Sequence, residues 1–536
     1  MRGFVNDAFR FVIARAIILL GIVLDLHQRI RIRCFTAHQN QLRRKYRLHN
    51  DTPVVSYGPR MVESIRHAAT RAGRSARFAL TSGSTGEAKQ ILYTRSRLVA
   101  LKFTFSDMFA RAVRAYRLRR TSVYVFSSFQ QDDSLTSMLL TEPQFPHYFS
   151  TLQAPYRVQQ HPTIKALSSE YGTAAVRLWI LTIANPGVLY ATNPSTLSSF
   201  FDELETNWTA CSQLVRDWCS HPQRFDRTVR RIARRLDSRD SSSRLGLIAA
   251  SNISLNLEQF APAVHAYICW TGGYVKPFLD RLANHLPAER YRLLPMYSMS
   301  TETVETETVF RNGAAYFLPL AKGVVYEFTQ AETLLMPNQL TPGQTYALVV
   351  SDNYGLRRYQ TDDLFECRRI VNGLPDLIFI GRRTLEYSFV GEKVTAQQLT
   401  VVFNQLRAKH SELLGNGFLT CVPSLPHNEK PHYKFVFIHD SITRFDTDSM
   451  ASDCDQLLSH LNCEYKNKRA SGMLASASFI QTNTADFAAR FADSWETQFK
   501  FLPLYRRTWE STNVPHLNAP HSFVSHKNTT ELAQTT

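Results

Sequence analysis

No two of the eight cysteines in this 536-residue chain are spaced C-x-x-C. Thiols scattered through a long chain point to a reducing compartment and count against a disulfide framework or a structural zinc site. His427 and His432, and the later His516, His521 and His526, show no consistent ligand spacing either. Long hydrophobic runs are also missing. The strongest, AIILLGIVL at residues 16–24, falls far short of the ~20 residues that cross a bilayer, and the DLHQRIRIR that follows offers no small-x-small cleavage site for a signal peptidase. There is no G-x-x-x-x-G-K-[ST], no G-x-G-x-x-G after a strand and no G-x-S-x-G, which removes the Walker, Rossmann and serine-hydrolase patterns. Acidic residues are in deficit, 45 Asp+Glu against 62 Lys+Arg, a formal charge of +17 that favours an anionic partner without naming it. What is present, 44% hydrophobic and 12% aromatic residues, suffices for a sizeable core and excludes wholesale disorder, collagen and coiled coil. At ~150 residues per domain, the length predicts three or four domains or two large ones.

Residues 16–24 follow Arg10 and Arg15 and precede Asp25, so a packed or interfacial helix is expected there, with a membrane anchor as the alternative. Arg29, Arg31, Arg33, Arg43, Arg44, Lys45 and Arg47 come next and read as a solvated helix face, with peripheral contact to acidic lipid as the other reading. From 51 to 385, helical periods alternate with short β-rich runs at 122–129, 346–351 and 377–381, an α/β pattern. Arg224, Arg227, Arg230, Arg231, Arg234 and Arg235 recur at helical spacing along one side. Lacking interleaved aromatics or a nucleic-acid motif, they read as an exposed helix, and no nucleic-acid partner is expected. After residue 390 a smaller α+β unit is predicted, with helices at 396–409 and 450–461 and a strand at 434–439; beyond 511 the chain turns polar and is expected to be a disordered tail.

The segment FALTSGSTGEAKQILY (78–93) runs from a short apolar strand into Thr81, Ser82, Gly83, Ser84, Thr85 and Gly86, with Lys89 beyond. Glycines let the backbone approach a ligand, successive N–H groups form an anion-binding concavity, and hydroxyls and a lysine add donors for phosphate oxygens. Downstream lie MYSMSTE (296–302) and LRRYQTDDLFECRRIVNGLPDLIFIGRRTLEYSFVGEKVTAQQL (356–399).

T-S-G-S-T-G-x-x-K resembles the phosphate loop of the acyl-adenylate-forming superfamily, and MYSMSTE is similar to its aromatic-x-x-Thr-Glu motif. The order Arg-Tyr-x-x-x-Asp, then Gly-Arg, then Gly-Glu-Lys, together with Trp270-Thr271-Gly272-Gly273, is closer to one branch, the auxin-responsive acyl acid amido synthetase family with its bacterial and animal homologues. The resemblance spans roughly residues 40–510. It implies an α/β fold with a large N-terminal adenylation domain of mixed sheets and helices and a smaller, mobile C-terminal α+β domain. The expected division is 1–50 an apolar and basic helical segment, 51–390 the adenylation domain, 391–510 the cap and 511–536 the tail.

The resemblance also implies the site. Thr81 to Gly86 and Lys89 would hold the phosphates of ATP, Tyr297 would stack on adenine, Thr301 would contact phosphate and Glu302 would bind Mg2+. A carboxylate beside a triphosphate needs that cation to avoid repulsion. Asp363 would accept from the ribose hydroxyls and Arg382 would meet ribose or phosphate; the acyl group would lie beside Gly272 and Gly273. Lys500 and Lys393 are the candidate charges carried in by the C-terminal domain. The implied reaction is activation of a carboxylic acid as acyl-AMP and transfer to an amine such as an amino acid, in the cytoplasm. A thiol ligase acting on coenzyme A or a carrier protein is the alternative. So is a non-catalytic sensor, since Ser298, Asp362 and Thr384 depart from the superfamily's pattern.

Overall fold

The computed structural model describes residues 2–80, 89–127, 135, 138–139, 153–272, 275–296, 298–311, 313–331, 333–383, 385–390, 392–415, 417–426, 429–441, 446–491 and 501–511. Two short strands, β1 (Arg77–Leu80) and β2 (Gln90–Tyr93), pair antiparallel and bracket the glycine-serine segment. Next comes a parallel sheet of β3 (Val123–Val125), β4 (Val188–Tyr190), β5 (Ala266–Cys269) and β6 (Arg292–Pro295), in that spatial order. Parallel neighbours need crossover connections, and helices supply them. Strand side chains alternate between faces. Tyr124, Leu189 and Tyr267 therefore enter a core shared with the crossover helices, while Val123, Val125, Val188, Ile268 and Leu294 enter a second core on the opposite face. The helix Thr173–Ala184 is buried along nearly its whole length, from Ala174 to Ala184. Being apolar all round, it carries no amphipathic period to read in the sequence.

The second core is closed by the helices α3 (Pro59–Ala72) and α4 (Arg95–Ala115), with Ile17 and Ile18 of α1 (Arg2–Arg33) against it, and by an antiparallel sheet, while α2 (Phe35–Lys45) puts Phe35 and Leu42 into two smaller clusters. After the hairpin β7 (Glu307–Arg311) and β8 (Ala314–Leu318), that sheet runs in the order β10 (Thr333–Leu335), β9 (Val325–Gln330), β11 (Thr345–Ser351), β12 (Tyr359–Val371), β13 (Leu374–Arg382). The two sheets meet where Trp270, just past β5, packs on Phe379 of β13 with ring centroids 5.1 Å apart.

The hairpin β14 (Glu386–Tyr387) and β15 (Val394–Thr395) straddles the expected boundary at residues 390–391, with Leu385 packed into the C-terminal core. Beyond it β16 (Phe418–Ser424) pairs antiparallel with β17 (His432–Ile438), and β18 (Ser478–Thr482) joins β17 in parallel. The helices Ala396–Lys409 and Thr447–Leu461 cover one face of this sheet. The second of these begins earlier than the periodicity predicts because the Asp446 carboxylate caps it, accepting from the N–H groups of Asp448 and Ser449. The arginine-rich helix forms as Arg227–Leu236, with Val229, Ile232, Ala233 and Leu236 inward. The tail from 512 onward lies outside the described residues.

Of the basic residues from Arg29 to Arg47, at the end of α1 and along α2, five are exposed as expected, and Arg31 and Arg43 depart from the solvated face. Arg31 donates to Glu307 at 2.7 Å and Arg43 to Glu327 at 2.6 Å. Glu327 is fully buried and also takes a two-pronged contact from Arg358, 1% exposed, at 3.0 Å to each oxygen. Buried carboxylates demand partners, and these arginines supply them. Glu327→Ala would leave the Arg358 guanidinium buried without its counter-ion, and a loss of about 3–5 kcal/mol is expected, measured as a fall in the denaturant unfolding midpoint at unchanged slope.

Candidate active site

The loop joining β6 to β7 is narrow at its neck. Glu305 N–H and Thr306 N–H both donate to the Ser298 carbonyl, and Ser298 N–H donates to Thr306 Oγ1. Ser298, which stands where the motif would carry an aromatic, therefore holds the loop's base, and its hydroxyl donates to Glu305 Oε2 at 2.5 Å. Two residues from the start of α4 and the strand before it pin the loop's tip. Tyr93 OH donates to the Thr301 carbonyl at 2.9 Å. Arg97 donates to the Glu302 carbonyl, pairs with Asp352 at 3.1 Å and lies between the rings of Tyr93 and Tyr354.

Glu302, at this tip, is buried, 2% exposed. Its Oε1 accepts from Tyr359 OH at 3.3 Å and lies 3.8 Å from Lys89 Nζ, while Lys89 donates to Tyr359 OH at 2.9 Å. Lys89 comes from the residue before β2 and Tyr359 from the first position of β12, so the cluster ties the hairpin β1–β2 to the antiparallel sheet. Burial, with Glu302 beside it, pushes the Tyr359 phenol well above its ordinary value and keeps it a donor.

Four residues along β12, Asp363 faces Arg382 across the ladder to β13. Arg382 Nε donates to Asp363 Oδ1 at 2.6 Å and Nη2 to Oδ2 at 3.4 Å. Asp363 together with burial sets the guanidinium's titration, and the Asp363 charge prevails, raising it further above its ordinary value. Asp362, where the superfamily has glycine, adopts φ +63°, the left-handed conformation that explains the glycine and that Asp tolerates better than most residues. Its carbonyl accepts from Arg383 N–H at 2.7 Å, and its side chain turns to Gln360 at 3.1 Å.

Gly272 is buried against β13: a Cβ there would come within 3.3 Å of the Phe379 carbonyl oxygen. A side chain there would press on Trp270 and on the strand that carries Arg382. Lys89, Thr301, Glu302, Asp363, Arg382 and Gly272 are therefore brought to one region, where the two sheets meet. Lys393 is not: it is exposed, at φ +45°, in a turn organised by its neighbour. Glu392 accepts from the N–H groups of Phe389 and Val390 and from Tyr433 OH. Burial opposes its ionised form, but those donors win and its pKa falls below the ordinary value. Thr81 to Gly86, Gly273, Tyr297 and Lys500, with Thr384 and Gly391, lie outside the described residues.

Sequence reasoning passed over Tyr359, Tyr93, Arg97 and Glu305. Only Tyr359 left a signal, as the tyrosine of Arg-Tyr-x-x-x-Asp; the others act through contacts across more than two hundred residues or through a buried neighbour.

This joining of a parallel sheet to an antiparallel sheet is similar to the fold of solved acyl acid amido synthetases. The solved structure of the AtGH3.15 acyl acid amido synthetase in complex with 2,4-DB superposes with a TM-score of 0.65 at 17% identity, covering 86% of this chain and 85% of that one. A GH3.15 acyl acid amido synthetase gives 0.64 at 15% identity, covering 86% of each. The chain belongs to the GH3 family: the model of the GH3 family N-terminal domain matches residues 71–290 and that of the GH3 family central domain residues 309–382, together more than half of the sequence. Comparison with curated proteins gives no match.

Glu305 offers a test of the site's electrostatics. Burial, then the neighbouring Asp363, raise its pKa well above the ordinary carboxylate value. A raised carboxylate pKa contributes stability that is complete below the unfolded value, about 4.3, and is lost as pH rises through the folded value. Glu305→Gln, which mimics the neutral acid, is expected to match or exceed wild type in thermal midpoint at about pH 8 and to narrow the difference between about pH 5 and pH 8.

Proposed function

We propose that this chain is an ATP-dependent acyl acid amido synthetase, which activates a small-molecule carboxylic acid as acyl-AMP and transfers the acyl group to an amine such as an amino acid. The observation that carries the reading is that Glu302, Lys89 and Tyr359 converge at β12's start while the buried Asp363 pairs with the half-buried Arg382 a few residues on. Family membership supports the same reaction class.

In the first step a carboxylate oxygen of the acid bonds to the α-phosphorus of ATP, and the bond from that phosphorus to the bridging oxygen breaks, releasing pyrophosphate. Little covalent chemistry falls to the protein; its task is to place charge. Lys89, with Thr81 to Gly86 beside it in sequence, would neutralise phosphate oxygens. Asp363, acceptor-only when ionised, suits ribose hydroxyls, and Arg382 is poised to leave one carboxylate for ribose or phosphate. In the second step the amine nitrogen bonds to the acyl carbon, loses a proton, and AMP departs.

The donor set fits a magnesium ion that arrives with the nucleotide. Among the described residues no group of three or more His, Cys, Asp or Glu could enclose a metal, and Glu302 is a single buried carboxylate, the sort of ligand Mg2+ uses when phosphates and waters complete its shell. When bound there, the cation would offset repulsion between Glu302 and the phosphates. Lys500, and less directly Lys393, are the charges that closure of the C-terminal unit would bring over the site. All eight cysteines are unpaired thiols, five of them buried, which supports a reducing, cytoplasmic setting.

Carboxylate-dependent exchange of labelled pyrophosphate into ATP tests the reading across aryl, fatty and terpenoid acids. Asp363→Asn and Glu302→Gln, which remove the charge and keep the shape of the side chain, are each expected to lower exchange about 100-fold or more, with the unfolding midpoint measured as the control for folding. Near wild-type exchange in either would remove that residue from the site. AMP release stimulated by an amino acid is the expected second half; stimulation by a thiol alone would transfer the chain to the thiol ligases.

A further inference from the structure

Helix α1 has its polarity reversed. The side turned to the body of the protein is mostly polar or small: Asn6, Arg10, Ala14, Gly21 and Gln28 are buried, and the apolar residues it covers are few, Ile32 at its end and the partly buried Ile17 and Ile18. Asn6 Nδ2 donates to the Asp237 carbonyl at 2.8 Å, Arg10 Nη2 to the Leu236 carbonyl at 2.9 Å and Gln28 Nε2 to the Thr308 carbonyl at 3.3 Å. At Gly21 a Cβ would lie 2.6 Å from the Ala110 carbonyl oxygen of α4. These contacts are spread along the helix, so its roll is fixed and it cannot turn its other side inward.

That other side is apolar and bare. Val12, Leu19, Val23 and Leu26 are 61–65% exposed, and Phe9, Phe11, Leu20, Ile22 and Ile30 are exposed too. At 3.6 residues per turn these positions fall on one broad stripe, which from Val5 to Ile30 is about 38 Å long. A helix on the surface of a globular protein shows the opposite arrangement. Charge on the exposed side is of one sign. Arg15, Arg29 and Arg33 are exposed along its border, while the two carboxylates are engaged elsewhere, Asp7 with Arg10 at 2.8 Å and Asp25 with Arg114. No helix among the described residues is long and apolar enough to cross a membrane.

We infer that α1 is an interfacial helix that lays its outward face on an anionic lipid surface. Leu19, Val23 and their neighbours enter the acyl boundary, and Arg15, Arg29 and Arg33 meet lipid phosphates. Lipid fits the face better than a second copy of the chain, because a second copy would add another set of guanidiniums and no carboxylate to face them.

Flotation of the full chain with phosphatidylcholine vesicles and with phosphatidylcholine–phosphatidylserine vesicles tests this. Wild type is expected to float with the mixed vesicles and much less with the neutral ones. Leu19→Glu/Val23→Glu should weaken binding at least about tenfold, since two side chains lose their apolar transfer; Arg15→Glu/Arg29→Glu should weaken it most at low salt. The thermal midpoint of each variant controls for folding. Absence of wild-type flotation, equal flotation with neutral vesicles, or full retention by the Leu19→Glu/Val23→Glu variant overturns the inference. So does a concentration-dependent dimer in sedimentation that this variant abolishes while vesicles bind nothing.

Discussion

A carboxylate withdrawn from water must be paired, hydrogen-bonded or neutralised, and the loop from β6 into β7 withdraws three within six residues, Glu302, Glu305 and Glu307. Each meets the constraint differently. Glu302 has Lys89 and Tyr359. Glu305 takes the Ser298 hydroxyl and, beside Asp363, is pushed toward its neutral form. Glu307 takes Arg31 from the end of α1. The hairpin β1–β2, the strand β12 and the N-terminal helix are thereby all held to one short loop. The same loop presents Thr301 and Glu302 to the region where nucleotide chemistry is proposed.

The positive charge has a corresponding distribution. Several arginines that look like surplus in the composition are internal counter-ions: Arg31, Arg43, Arg97, Arg358 and Arg382 each face a buried or nearly buried carboxylate. Others do face water, as on the helix Arg227–Leu236 and along the outward border of α1. The net charge of +17 is therefore a sum over different roles, and only the exposed share is available to an anionic partner.

Legibility followed the range of the interactions involved. The helix at 396–409 forms with those limits because its cues are local, a Thr395 cap and an apolar stripe. The strand expected at 377–381 extends back to Leu374, and the helix expected at 450–461 starts at Thr447, where a ladder partner and a capping aspartate act beyond what periodicity reports. Least visible was the central helix Thr173–Ala184, apolar on every side. At the site, Glu302, Asp363, Arg382 and Lys89 stood out because short motifs preserve them in order. Tyr93, Arg97 and Glu305 did not, since their roles exist only once distant segments touch.

The sequence by itself determined the family resemblance, the α/β alternation and the identity of the charged residues proposed to handle a nucleotide, because these reside in spacing and residue type. Tertiary structure alone decided the rest. It made Asp363 and Arg382 partners across a ladder, turned Ser298 and Asp362 from departures into a loop neck and a left-handed turn, and fixed which side of α1 faces outward. Burial and pairing are properties of where segments meet, and one-dimensional spacing does not carry them.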